Sequence, residues 1–391
     1  MKILIYSFNL GPKTSASGIT THKVILELQK RNHEIYVVTG KCTYSKYTNN
    51  VSLIKCNPNP LSPARVFKKI GNFIGIEINY IFWEMRAYNV TKNLIKKNIP
   101  DVIYGRGSPI SSLSVASRVS KKFQIPFLAH FADPIPAPYE WLSNKSERNK
   151  LIKTITPIID NANQLSFVTK EMMLYQSDLI GKNISNKSFI SPNGINFYNN
   201  MTPPDNEKII VLYLGSFYGS RTPDSLLDGF NIFHKKNPNS ELHFYGTNKS
   251  YIESVINKKN IKINTKFFKY TDKIFEALLK ANILVDIDNK IDSQVFLSSK
   301  LMDYLSINRF ILLITTKGSP SSKIIDRIPK TTLKVSYNAE EVAQGLKEIS
   351  MKKWDKNIFL EREALSEYFI TNIIDKIESK FEYMISKGNT N

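Results

Sequence analysis

The chain begins the same structural alternation twice, and this repetition limits its fold more than any other feature. Lys2–Tyr6 reads as a short apolar strand, Asn9–Gly18 as a loop rich in glycine and small residues, about Thr20 to Arg31 as a helix with Val24, Ile25 and Leu28 inward, and Glu34–Thr39 as a second strand. After Thr202-Pro203-Pro204 the order starts again with the apolar run Lys208–Gly215, the loop Ser216–Pro223 and a helix over Asp224–Lys235. A strand that feeds a helix and then another strand implies a right-handed parallel crossover. Two such series predict an α/β chain of two doubly wound, Rossmann-like domains facing a cleft. The expected divisions are a first domain over 1–198, a linker over 199–206, a second domain over 207–360 and a C-terminal helix over 361–391 that packs back on the first domain. A length of 391 residues suits two domains better than one.

Composition narrows the class. Hydrophobic residues make up 42% and charged residues 23%, as in a globular protein rather than a disordered one. The two cysteines, Cys42 and Cys56, form neither a metal motif nor a disulfide framework, and a reducing cytoplasm is the simpler expectation. The start is too short an apolar run for a signal peptide, and no run of about eighteen apolar residues indicates a spanning helix. A net charge of +20 favours anionic partners. That charge is dispersed through a lysine-rich and asparagine-rich sequence, so a nucleic-acid partner is not expected. One region, from 65 to 95, is both basic and aromatic, with Arg65, Phe67, Lys68, Lys69, Phe73, Tyr80, Phe82, Trp83 and Arg86. It reads either as a core-facing helix or as a surface that meets anionic lipid, and the two readings suit different faces of one helix.

Strand ends locate the candidate site, because ligands of doubly wound sheets bind outside the carboxyl ends of the strands. In the first half these ends carry His130 and Asp133, candidates for acid–base chemistry or sugar-hydroxyl contacts; a core histidine and a turn cap are the competing readings. In the second half Arg221 stands at the start of a helix beside a glycine loop, a position suited to a diphosphate. Ser298 and Ser299 stand where a helix begins, either able to cap it, with Lys300 in the first turn and Asp303 one turn on. An Asp286-Ile287-Asp288 pair has metal-ligand spacing, but it reads as a loop feature rather than a metal site.

Several segments together resemble glycosyltransferases of the GT-B fold, in the group 1, family-4-like type. They are the opening strand with its Gly18 loop, Ser191-Pro192-Asn193-Gly194-Ile195-Asn196, Tyr213-Leu214-Gly215-Ser216-Phe217, Tyr245-Gly246, Ala277–Val285 and Ser298–Leu305. The resemblance spans most of the chain. It implies a nucleotide-sugar co-substrate, UDP- or GDP-linked, with no resident cofactor and no metal. Arg221, Lys300, Ser298, Ser299 and Gly18 would contact the diphosphate, and Asp303 the ribose. Tyr245, Gly246, Phe268 and Tyr270 would border the base, while His130 or Asp133 would meet the sugar or the acceptor. One position departs from the pattern: Val295 occupies the place of the first of two acidic residues. That leaves the donor-sugar contact, and with it retention of configuration, open.

The function expected from this resemblance is sugar transfer to a glycan or lipid-linked precursor of a cell-surface polysaccharide, in the cytoplasm and peripherally on the inner face of the membrane. A sugar-nucleotide epimerase or hydrolase on the same fold, and a non-catalytic basic binding protein, are the alternatives.

Overall fold

The computed structural model describes residues 1–11, 15–43, 47, 50–57, 78–197, 202–205, 207–270 and 273–388. Residues 65–77 of the basic aromatic stretch, and part of the expected linker, lie outside the described residues. The chain divides into two compact units, Met1–Pro192 with Ile370–Asn391, and Asn193–Phe369.

The first unit contains β1 (Lys2–Tyr6), β2 (Asn9–Leu10), β3 (Glu34–Thr39), β4 (Lys41–Cys42), β5 (Val51–Lys55), β6 (Val102–Gly107), β7 (Phe127–Phe131), β8 (Gln164–Phe167) and β9 (Ser188–Ile190). Seven of them form one parallel sheet in the order β5-β3-β1-β6-β7-β8-β9, and β2 pairs with β4 separately. The second unit contains β10 (Ile209–Leu214), β11 (Ser240–Tyr245), β12 (Thr265–Phe268), β13 (Ile283–Ile287), β14 (Phe310–Ile314) and β15 (Thr332–Val335). These form a parallel sheet ordered β12-β11-β10-β13-β14-β15. Apolar runs such as Phe310–Ile314 are buried along their whole length, as expected for a parallel strand covered on both faces. In each sheet the strand order reverses at the first strand, between β1 and β6 and between β10 and β13. Those reversals are where such sheets hold ligands.

Two elements differ from their sequence-based expectations for physical reasons, and a third has the two faces that the sequence offered. The first helix spans Ala16–Lys30, starting before Thr20, because Ser15 is its N-cap and its Oγ accepts the Gly18 amide at 3.1 Å. The helix Ile78–Ile95 has two faces. Trp83, Ala87, Thr91 and Ile95 are buried, whereas Ile81 and Met85 are 49% and 54% exposed.

The expected helix over 361–391 is two elements belonging to different units. Lys356–Tyr368 is a 3-10 segment of the second unit. Its buried Arg362 donates to the carbonyls of Tyr304, Leu305, Ile307 and Arg309, tying the end of the Ser299–Leu305 helix and the turn after it to this segment. The helix Ile370–Gly388 belongs to the first unit. Its Ile373, Ile374, Ile377 and Phe381 share an apolar cluster with Val24, Ile25 and Leu28 of the first helix. Arg31 adds ion pairs to Asp375 and Glu378.

Candidate functional site

In the second unit the site is built where β10 and β13 stop pairing. The Tyr304 hydroxyl accepts the Leu214 amide at 2.9 Å and donates to the Val285 carbonyl at 3.2 Å. One side chain of the Ser299–Leu305 helix thus pins that helix to both strands of the reversal. Lys300 follows from this anchoring, one helical turn before Tyr304. Its Nζ donates to the Tyr213 hydroxyl at 3.0 Å, stands 3.3 Å from Asp286 Oδ1, and lies 4.4 Å from the Tyr213 ring centroid. Tyr213 in turn stacks on Phe217, with centroids 4.3 Å apart and planes 9° off parallel.

Arg221 joins this cluster. It is buried, its Cζ lies 5.3 Å from the Tyr218 ring, and its Nε has no partner among the described residues. Burial, followed by the charge of Arg221, pushes the Lys300 amine down to about 8, against the opposing pull of Asp286. For Arg221 burial acts in the same sense, but Tyr213 and Asp286 outweigh it and hold the guanidinium above its ordinary value.

Asp286 is fully buried. Its Oδ1 accepts the Ile287 amide at 2.9 Å, and its Oδ2 has no hydrogen-bond partner among the described residues. Asp288 accepts from Thr315, Ser319 and Ser321 at 2.7, 3.0 and 3.0 Å, and burial together with Asp286 raises its carboxyl. The pair with metal-ligand spacing is therefore a counter-ion for Lys300 and an anchor for three hydroxyls. Among the described residues no group of three or more His, Cys, Asp and Glu is placed to hold a metal ion.

The serines behave differently from the expectation. Ser298 takes the N-cap position, but its hydroxyl makes no cap hydrogen bond and is buried without a partner. Ser299 is the first helical residue, and Asp303 is half-buried one turn beyond Lys300.

The base-side residues are brought together. Tyr245 and Phe268 stack at 4.5 Å and 15°. The Gly246 amide donates to the Phe268 carbonyl at 2.9 Å, and a Cβ on Gly246 would stand 3.5 Å from Tyr270 Cβ. Gly215 links the two halves. Its amide donates to the Tyr245 carbonyl at 2.7 Å, its φ is +99°, and a Cβ there would stand 3.4 Å from Lys300 Cδ. The ends of β10, β11 and β12 thus form a strip with aromatic rings at one side and two cations at the other.

In the first unit His130 and Asp133 are not joined by a hydrogen bond. His130 is buried in β7, its Nδ1 3.0 Å from Ser166 Oγ and its Nε2 without a partner among the described residues. Burial and the neighbouring Arg106 hold its pKa well below the ordinary value, so the ring is neutral at pH 7. Asp133 is exposed beyond the end of β7. Gly18 lies inside the first helix with its amide taken by Ser15, which removes the donor that a phosphate contact there would have used.

Sequence reasoning missed Tyr213, the counter-ion role of Asp286, and Arg106. Asp286 did carry a signal, being one carboxylate inside the apolar run Ile283–Ile287.

No protein-family model matches the chain, and no curated protein sequence matches it. Solved structures do. HepE of Anabaena, crystallised with UDP and glucose, is similar with a TM-score of 0.69 at 11% identity, over 98% of this chain and 99% of that one. Sucrose-phosphate synthase of Thermosynechococcus elongatus is similar with a TM-score of 0.70 at 13% identity, over 99% of both chains. WaaG, a glycosyltransferase involved in lipopolysaccharide biosynthesis, is similar with a TM-score of 0.66 at 11% identity, over 96% of this chain and 98% of that one.

Proposed function

From the GT-B fold of this chain we propose that it is a glycosyltransferase, moving a sugar from a nucleotide-diphosphate donor to a glycan or lipid-linked glycan precursor of a cell-surface polysaccharide. The observation that carries this reading is the Arg221–Lys300 pair at the β10–β13 reversal, a buried guanidinium and a largely buried amine. Asp286 and Asp288 lie behind them, yet Arg221 Nε has no acceptor among the described residues, and a diphosphate supplies one. The Tyr245–Phe268 stack and Gly246 offer a flat wall for a base, and Asp303 an acceptor for ribose hydroxyls. UDP or GDP is the nucleotide that this arrangement would hold; HepE was crystallised with UDP.

The chemistry is departure of the diphosphate while the acceptor hydroxyl attacks the sugar. The two cations stabilise the leaving charge without a metal, and in a reaction that retains configuration the leaving phosphate takes the acceptor proton. The outward face of the Ile78–Ile95 helix, with exposed Ile81 and Met85 and with Lys92 beyond them, suits an anionic lipid surface. The fold test is a thermal-shift panel of UDP, GDP, CMP and dTDP. UDP or GDP should raise the melting temperature of the wild type, and Arg221→Ala or Lys300→Ala should each weaken binding by about 1–3 kcal/mol. Unchanged affinity in both variants refutes the diphosphate site. Product analysis with and without an acceptor then separates transfer from hydrolysis or epimerisation.

A further inference from the structure

One row of polar side chains crosses the otherwise apolar sheet of the first unit. Arg106 in β6 is the register partner of His130 in β7, and His130 that of Ser166 in β8. Register partners in a parallel sheet point to the same face about 4.8 Å apart. Arg106, His130 and Ser166 are 4%, 1% and 0% exposed. The row lies at the carboxyl ends of the strands beside the β1–β6 reversal, the part of this sheet suited to a ligand.

Its charges do not balance. Arg106 Nε donates to Thr21 Oγ1 at 3.0 Å and Nη1 donates to the Tyr104 hydroxyl, while Cζ lies 5.2 Å from the Tyr104 ring centroid. Among the described residues these two hydroxyls are its hydrogen-bond partners, and no carboxylate pairs with it. An arginine is seldom this buried without an anion, because desolvating the charge is costly. Next to it, His130 Nε2 is buried with no partner. In the tautomer in which Ser166 donates to Nδ1, Nε2 carries the proton and is a second unused donor. Donors without an acid call for a group that accepts only.

We propose that Arg106 and His130 form an anion-recognising subsite for the acceptor, taking a carboxylate or a phosphate carried by the acceptor glycan. The inference rests on the glycosyltransferase reading, since it takes the ligand of the first unit to be the acceptor. Glucuronate and inorganic phosphate are the probes for the two sources, with glucose as neutral control. The Arg106 side-chain N–H signal is followed in proton–nitrogen correlation spectra of the whole chain, and UDP binding is measured separately in the same preparation.

The expected result is a saturable shift of the Arg106 signal with one or both anions and none with glucose, at a dissociation constant on the order of 1 mM. The shift should persist in Arg221→Ala, and Arg106→Lys should weaken anion binding about tenfold by removing the planar fork while keeping the charge. Absence of any shift, an equal shift with glucose, or a shift that UDP competes away or that Arg221→Ala abolishes would each overturn the proposal. Failure of UDP to bind at all would instead strike the donor reading, whatever Arg106 does. If Arg106→Lys does not fold, the wild-type signal and its persistence in Arg221→Ala decide the matter.

Discussion

Nucleotide affinity should fall steeply above neutral pH, and Lys300 sets the slope. Burial places its amine at about 8 in the free protein. A bound diphosphate favours the charged form, so the amine in the complex stays protonated well above that value and binding takes up a proton. The charged fraction in the free protein is about nine-tenths at pH 7 and about one-tenth at pH 9. The dissociation constant for UDP should therefore rise about tenfold between those values, equivalent to about 1.4 kcal/mol. Titration calorimetry in two buffers of different ionisation enthalpy reads both the affinity and the proton taken up. Lys300→Arg is the internal control, because a guanidinium stays charged across this range. In that variant the proton uptake should vanish and the slope flatten to whatever UDP itself contributes. Asp286→Asn removes the opposite charge 3.3 Å from Nζ and should move the whole curve to lower pH. A wild-type affinity that stays constant over this range, or a slope equal in Lys300→Arg, refutes the buried-amine account.

Other tests reach the parts around this site. Gly215→Ala should lose nucleotide affinity by more than its small volume suggests, because φ is +99° there and the strained turn carries the residue that packs on Lys300; calorimetry at pH 7 reads it. Arg362→Ala should destabilise the second unit by about 3 kcal/mol or more, since it removes a buried guanidinium that bonds four main-chain carbonyls between Tyr304 and Arg309; urea unfolding measures it. Ile81→Asp with Met85→Asp should leave stability nearly unchanged and abolish flotation with anionic vesicles, whereas unchanged flotation removes the helix from the membrane reading.

The sequence made the alternation legible because parallel strands buried on both faces leave continuous apolar runs, and Phe310–Ile314 or Ile209–Leu214 could be read directly. Arg221 and Lys300 were legible because both stand near helix starts beside loops. Their burial was not, because it depends on Tyr213 and Phe217 stacking across a loop and on Tyr304 reaching two strands at once. The C-terminal boundary was hidden for a related reason. Glu361–Lys380 has one apolar periodicity, and long-range bonds of Glu361, Arg362 and Glu367 tie its first part to the second unit. Arg106 looked like a strand residue running into a glycine loop, and the lack of an acid beside it is visible only in three dimensions.

The helix Ile370–Gly388 has a consequence for synthesis. It completes the core of the first unit, while the whole of the second unit is made between that helix and the strands it covers. As the chain leaves the ribosome, the unit begun first must wait with Val24, Ile25 and Leu28 uncovered until the last segment emerges. The second unit, Asn193–Phe369, is contiguous and can fold as soon as it is translated. The usual order of vectorial folding is thereby reversed, and the later-made unit is an insertion that matures inside the earlier one.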